Sequence, residues 1–134
     1  MSIPKRDESE SELLALNQRL LESIFVADWQ TYEELCDASL SAFEPEGRGQ
    51  LIVGMPFHRF YFDLGAGTGP VHVTMASPDV RWLGDDAAVI SYVRLVQKLV
   101  NGSPVTAATE ETRIWQRRDG RWRHVHFHRS LPTG

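Results

Sequence analysis

EETRIWQRRDGRWRHVHFHRS, residues 110–130, decides the fold: it reads as two strands of alternating character joined by Asp119-Gly120. An Asp-Gly pair between such runs is a strong short-range signal for a tight hairpin, because both turn residues must take positive φ. The same grammar repeats upstream. Asn101-Gly102 and Gly84-Asp85-Asp86 separate further period-two runs, giving expected strands at about 71–83, 86–100, 105–117 and 121–129. Pro78 inside the first of these cannot donate to a ladder, so it predicts an edge position, a bulge or a bend.

The N-terminal half has the other period. Leu13, Leu16, Leu20 and Ile24 recur at helical spacing and predict an amphipathic helix, opened by a Ser9/Glu12 capping box and ending near Ala27. Asp28 can cap a second, short helix through Leu35 or Cys36. A short strand is expected over 40–44 and a third helix over 51–62, with Gly54 and Pro56 weakening its first turn. Helices first and strands afterwards predict an α+β domain, with N-terminal helices packed on one face of a curved antiparallel sheet.

Composition limits what such a domain can be. A chain of 134 residues, 42% hydrophobic, suits a single core and leaves no room for a kinase domain. The expected division is a flexible N-terminus over 1–8, one domain over 9–130 and a C-terminal tail over 131–134. With neither an apolar run of membrane-spanning length nor a signal-peptide core, no membrane partner is expected and the cytoplasm is the default location. Cys36 is the only cysteine, which excludes an intrachain disulfide and a cysteine-based zinc site.

The net charge of −4 argues against nucleic acid as a partner, yet the charge is unevenly spread. Residues 1–46 carry eleven acids against three bases, and residues 113–129 carry six arginines against Asp119 alone. Either the two halves form solvated or mutually facing surfaces, or the basic end serves self-association or anion binding.

Strand alternation then sorts candidate chemistry. It places Trp122, His124, His126 and His128 on one face of the last strand, and Arg123, Val125, Phe127 and Arg129 on the other. Arg94 interrupts the apolar row Ala88, Ile90, Tyr92 and Val96, and Arg113 shares a face with Glu111 and Trp115. A semi-buried arginine keeps its charge and so needs a carboxylate partner or a bound anion. His-x-His could offer two ligands to zinc or iron, but no third ligand stands at a recognisable spacing, so no metal and no cofactor is expected.

Three stretches together resemble the association, or hub, domain of calcium/calmodulin-dependent protein kinase II: FEPEGRGQLIVGMPFHRFYF (43–62), LGDDAAVISYVRL (83–95) and EETRIWQRRDGRWRHVHFHRS (110–130). The likeness runs in order from about Leu13 to Ser130. It implies the cone-shaped fold of the nuclear transport factor 2-like (SnoaL-like) superfamily. It also implies a non-enzymatic domain that assembles with itself, as a homodimer or a larger ring-like homo-oligomer. In that family a cavity lined by arginines accepts small carboxylates, which assigns ligand-binding roles to Arg94 in YVRL, Arg113 in EETRIW and Arg129 in HFHRS. His58 in HRFYF falls near the same cavity, and Tyr92 shares the face of Arg94. The resemblance moves the histidines of the last strand to the sheet surface or a subunit contact. The loop DLGAGTGP (63–70) is small and glycine-rich and departs from some animal hubs, which carry a bulky aromatic residue there, so the resemblance does not imply ligand gating by it. The alternative is a cone-fold isomerase, cyclase or hydrolase, with His58 and Tyr92 as the acid–base pair and the arginines holding an acidic substrate.

Overall fold

Both hairpin turns form with the backbone their residues permit: φ is 51° at Asn101, 81° at Gly102, 53° at Asp119 and 76° at Gly120. The structure, a computed structural model, describes residues 6–132. Part of the expected frayed N-terminus and of the expected tail therefore lies outside the described residues. The elements run α1 (Arg6–Phe25), α2 (Trp29–Leu35), β1 (Cys36–Phe43), a 3-10 turn (Pro45–Gly47), β2 (Ile52–Val53), α3 (Pro56–Asp63), β3 (Val71–Trp82), β4 (Ala87–Val100), β5 (Ser103–Arg118) and β6 (Arg121–Ser130). No helix among the described residues is long and apolar enough to cross a membrane.

One sheet of six strands runs in the order β2-β1-β6-β5-β4-β3. Its pairings are antiparallel except that of β1 with β6, which is parallel. The sheet is thus mixed rather than wholly antiparallel: β1 returns from the helical layer and lies beside the last strand. β3 is one edge, opposite β2, and its register slips between Ala76 and Asp79, around a Ser77 with φ of 51°. Pro78 sits in that slip, where no ladder hydrogen bond is asked of it.

Two helical expectations need correction. α1 already runs from Arg6, so Ser9 and Glu12 lie inside the helix and do not cap it. The stretch over 51–62 divides: Ile52–Val53 pairs with β1, Gly54 turns with φ of 91°, and α3 starts at Pro56. Proline suits that first position because its missing N–H has no intrahelical partner there anyway. α2 begins as expected, with the Asp28 carboxylate accepting from the Thr31 N–H at 3.2 Å.

The core lies between the helices and one face of the sheet. Leu13, Leu20 and Leu21 of α1 meet Ile90, Trp115 and Phe127 across it. Asn17 sits on the same stripe and is fully buried; its amide accepts from the Trp115 indole at 2.9 Å and donates to the Tyr92 oxygen at 3.0 Å. A polar residue is tolerated there because every bond it loses to water is replaced. The unequal charge distribution is partly reconciled by contact, since Arg118 meets Asp37 at 3.1 Å and Arg123 donates to the Glu34 carbonyl.

Strand β6 does not keep its alternation. Ile114 pairs with His126 but Trp115 pairs with His124, so Val125 is an extra residue, a bulge. Trp122 and His124 therefore face the core before the bulge, and Phe127 takes that face after it. The three histidines are split: His124 is fully buried, while His126 and His128 lie on the outer face with Ser41 and Phe43 of β1. The expectation that all three share one surface fails because one inserted residue reverses the parity.

Candidate functional site: an arginine-lined cavity

Between the end of α1, α3 and the inner face of the sheet, a cavity of about 210 Å³ opens. Ile24, Phe25, Phe62 and Phe127 form its apolar wall, and Arg94, Arg113, Arg129 and His58 project polar groups into its lining. β4, β5 and β6 each supply one arginine, and the bulge at Val125 keeps Phe127 and the cavity in step. Glu44 and Glu46, on either side of Pro45, complete the polar lining.

Every arginine has a carboxylate partner. Arg113 Nε reaches Glu111 Oε1 at 3.0 Å, and Arg94 Nη1 reaches Glu111 Oε2 at 3.2 Å. Arg129 Nη2 donates to both Glu46 oxygens and lies 3.3 Å from Glu44. Three arginines thus face three carboxylates. The guanidinium of Arg113 lies 4.3 Å from the Phe127 ring centroid and that of Arg94 lies 5.2 Å from Phe25, so each also finds an aromatic face.

Burial opposes the charge on Arg113, but Glu111, Tyr92 and Tyr32 outweigh it and raise its pKa. For Glu111, burial pushes upward, and the neighbouring Arg113 and Arg94 more than reverse this and hold the carboxyl ionised. Arg94 shifts down, through burial first, against the pull of Glu111. Glu44 is raised, by burial and then by the nearby Glu46 charge.

His58 is 5% exposed, and burial followed by the Arg113 charge lowers its pKa to about 4. Its imidazole is therefore neutral near pH 7, and the 3.6 Å separation of Nδ1 from Glu44 is a dipolar contact rather than an ion pair. His58 Nε2 and Arg94 Nε are buried with no hydrogen-bond partner. Both residues belong to the cavity lining, while these two atoms themselves are shielded from its open volume. His124 is neutral as well: Arg113 Nη1 stands 3.4 Å from its Nε2, which must accept, leaving the Nδ1 proton toward Cys36 Sγ at 3.3 Å.

Of the five residues singled out in the sequence, His58, Arg94, Arg113 and Arg129 line the cavity together. Tyr92 does not. Its hydroxyl donates to Glu111 at 2.5 Å and accepts from Asn17 and Arg113 at 3.0 Å each, which exhausts a phenol oxygen. Burial, with Glu111 beside it, carries its pKa to about 12. Sequence reasoning missed Glu44 and Glu46; the one available signal was a pair of acids flanking a proline directly after a strand.

Helices on the inner face of a curved mixed sheet, enclosing a cavity, define the nuclear transport factor 2-like class. A superfamily protein of that name from Salmonella enterica has the same fold, with a TM-score of 0.76 at 22% identity over 96% of this chain and 94% of its own. Residues 9–133 match the family described as calcium/calmodulin dependent protein kinase II association domain, and the chain belongs to that family. The hub homology domain of the kinase from Chlamydomonas reinhardtii is 50% identical, with a TM-score of 0.86 over 92% of this chain and 98% of that one. The delta subunit of calcium/calmodulin-dependent protein kinase type II from Oryctolagus cuniculus is 47% identical over 126 residues, 91% of this chain. The chain spans about a quarter, 24%, of that kinase subunit's length.

Proposed function

We propose that this chain is a non-enzymatic association domain of the cytoplasm that assembles with further copies of itself, and that its cavity takes up a small carboxylate or another acidic group. The observation that carries the assembly reading is the outer face of the sheet. Val89, Val93, Leu95 and Ile114 stand there half-buried, opposite the row that meets the helices, and none belongs to the core cluster. They share that face with polar Ser91, Thr112 and His126, and the apolar part of it is stabilised by a second layer, which a second copy of the chain supplies. Membership of an association-domain family supports the same reading. The kinase activity of the longer relative is not carried over.

Light scattering over a wide concentration range tests the assembly. The wild-type protein is expected as a homo-oligomer, and Ile114→Asp is expected to weaken association by about 30-fold or more, the effect of losing one central contact. A wild-type monomer at every concentration would overturn the proposal.

For the cavity, the support is the convergence of three arginines, one from each of three adjacent strands. Calorimetric titration with acetate is expected to show binding that Arg129→Ala abolishes. Equal heats from both proteins would remove the carboxylate site. The enzyme reading lacks its acid–base pair, because the hydroxyl of Tyr92 is saturated inside the core.

A further inference from the structure

We propose that Glu46 is the resident counter-ion of Arg129, and that a carboxylate ligand enters the cavity by exchanging with it rather than by adding to it. The inference rests on the carboxylate-site reading above and names the step that reading leaves open.

Arg94, Arg113 and Arg129 face Glu44, Glu46 and Glu111, so the polar wall is balanced while His58 is neutral. An anion added to this arrangement would leave one uncompensated negative charge in a partly dry site, which is strongly unfavourable. An anion that takes the place of one carboxylate leaves the balance unchanged.

Geometry selects the carboxylate that leaves. The Glu111 side chain is fully buried and holds Arg94, Arg113 and Tyr92 at once. Glu44 is 9% exposed, wedged between His58 and Arg129. Glu46 is 38% exposed, and the bonds that hold its carboxylate run to Arg129. Swinging into water costs Glu46 less than it would cost either other carboxylate, because Glu46 alone is already more than a third exposed and needs the least further rehydration. Its backbone stays in place as it does so. Gly47 is buried against Ile52, where a Cβ would come within 2.8 Å of the Ile52 side chain, and Arg48 closes the turn with φ of 55°. The side chain is therefore a movable arm on a fixed turn. Arg129 keeps Glu44 at 3.3 Å throughout and presents its vacated nitrogen to the incoming acid.

The class of ligand follows: a small acid whose carboxylate reproduces the contact of Glu46 on Arg129 and whose remainder fits about 210 Å³ beside Phe25, Phe62 and Phe127. A longer acidic chain whose end enters the cavity meets the same requirement at Arg129.

Acetate titrations of wild type, Glu46→Gln, Arg129→Ala and the exposed control Glu33→Gln separate the possibilities. Removing the competing carboxylate is expected to tighten acetate binding about tenfold in Glu46→Gln, with Glu33→Gln unchanged. Binding by Glu46→Gln where wild type shows none also supports exchange. Equal or weaker binding in Glu46→Gln, with Arg129→Ala still abolishing it, overturns the exchange and leaves the carboxylate site standing. Parallel titrations in two buffers of different ionisation enthalpy give a second readout: one proton taken up per acetate would show that protonation restores the balance, and would overturn exchange. Acetate binding in none of the proteins overturns the site itself.

Discussion

Replacing Glu111 by glutamine is expected to lower the free energy of unfolding by about 3–5 kcal/mol, the range found when one partner is removed from a buried ion pair. The residue is 2% exposed, and its two oxygens face Arg113 at 3.0 Å and Arg94 at 3.2 Å. Glutamine keeps the shape and one acceptor for the Tyr92 hydroxyl, so packing changes little while the charge is lost. Neither arginine can shed its own charge in response. Arg113 is 1% exposed and has no route to water, so the full desolvation cost falls on the fold. The same change at Glu46, over a third exposed, should cost less, about 1 kcal/mol, since Arg129 keeps Glu44 as a partner. Urea denaturation of both variants at one protein concentration, followed by tryptophan fluorescence, makes the comparison. A loss at Glu111 no larger than that at Glu46 would mean that water reaches the buried arginines.

The same cluster joins fold to site. Asn17 ties α1 to Tyr92 and Trp115, Tyr92 ties Glu111, and Glu111 holds the two arginines that form the cavity floor. Arg113 is therefore a poor probe of ligand binding, since removing it also strips Glu111 and His124 of a partner. Arg129 stands at the rim of this network, bonded to Glu44 and Glu46, and its removal leaves the cluster intact.

What could be read in the sequence was whatever local chemistry decides. Asn101-Gly102 and Asp119-Gly120 impose their turns whatever lies around them, and the four long strands follow within two residues of expectation. Alternation found Arg94 and Arg113 correctly because β4 pairs with β5 along its whole length without a slip. It found Phe127 and Arg129 only because both lie beyond the bulge, and it misplaced Trp122 and His124, which lie before it. Nothing in RWRHVHFHRS marks Val125 as supernumerary; the bulge shows only in the pairing with β5, where Trp115 stands opposite His124 with ring centroids 5.3 Å apart. The parallel pairing of β1 with β6 joins residues 85 to 88 positions apart, and no local signal reports it. Glu44 and Glu46 were invisible for the same reason, since their meaning depends on Arg129 across that pairing.

Acid should unfold this domain well before its carboxylates are fully protonated, because two histidines are buried in neutral form. His58 has a pKa near 4, set by burial and then Arg113, and the fully buried His124 lies well below its ordinary 6.5 for the same two reasons. In the unfolded chain both imidazoles return to about 6.5. Between pH 6.5 and about 4 the unfolded state therefore holds protons that the folded state does not, and stability must fall as pH falls. The slope approaches ~1.4 kcal/mol per pH unit for each histidine once its unfolded form is fully protonated. Glu111, held below its ordinary value by the arginines, adds to the loss at the acid end. Glu44 works in the opposite direction, since burial raises its pKa and the folded state takes its proton first. The histidines dominate between pH 6.5 and 5, where the ordinary carboxylates are still ionised in both states. Urea midpoints measured from pH 7.5 to 5 should be level above 7 and drop steadily below 6.5. In His58→Gln the drop should be shallower by about 1 kcal/mol per unit between pH 6 and 5, whatever the variant's stability at neutral pH. An unaltered slope in that variant would place the His58 imidazole in contact with water and take the low pKa away from it.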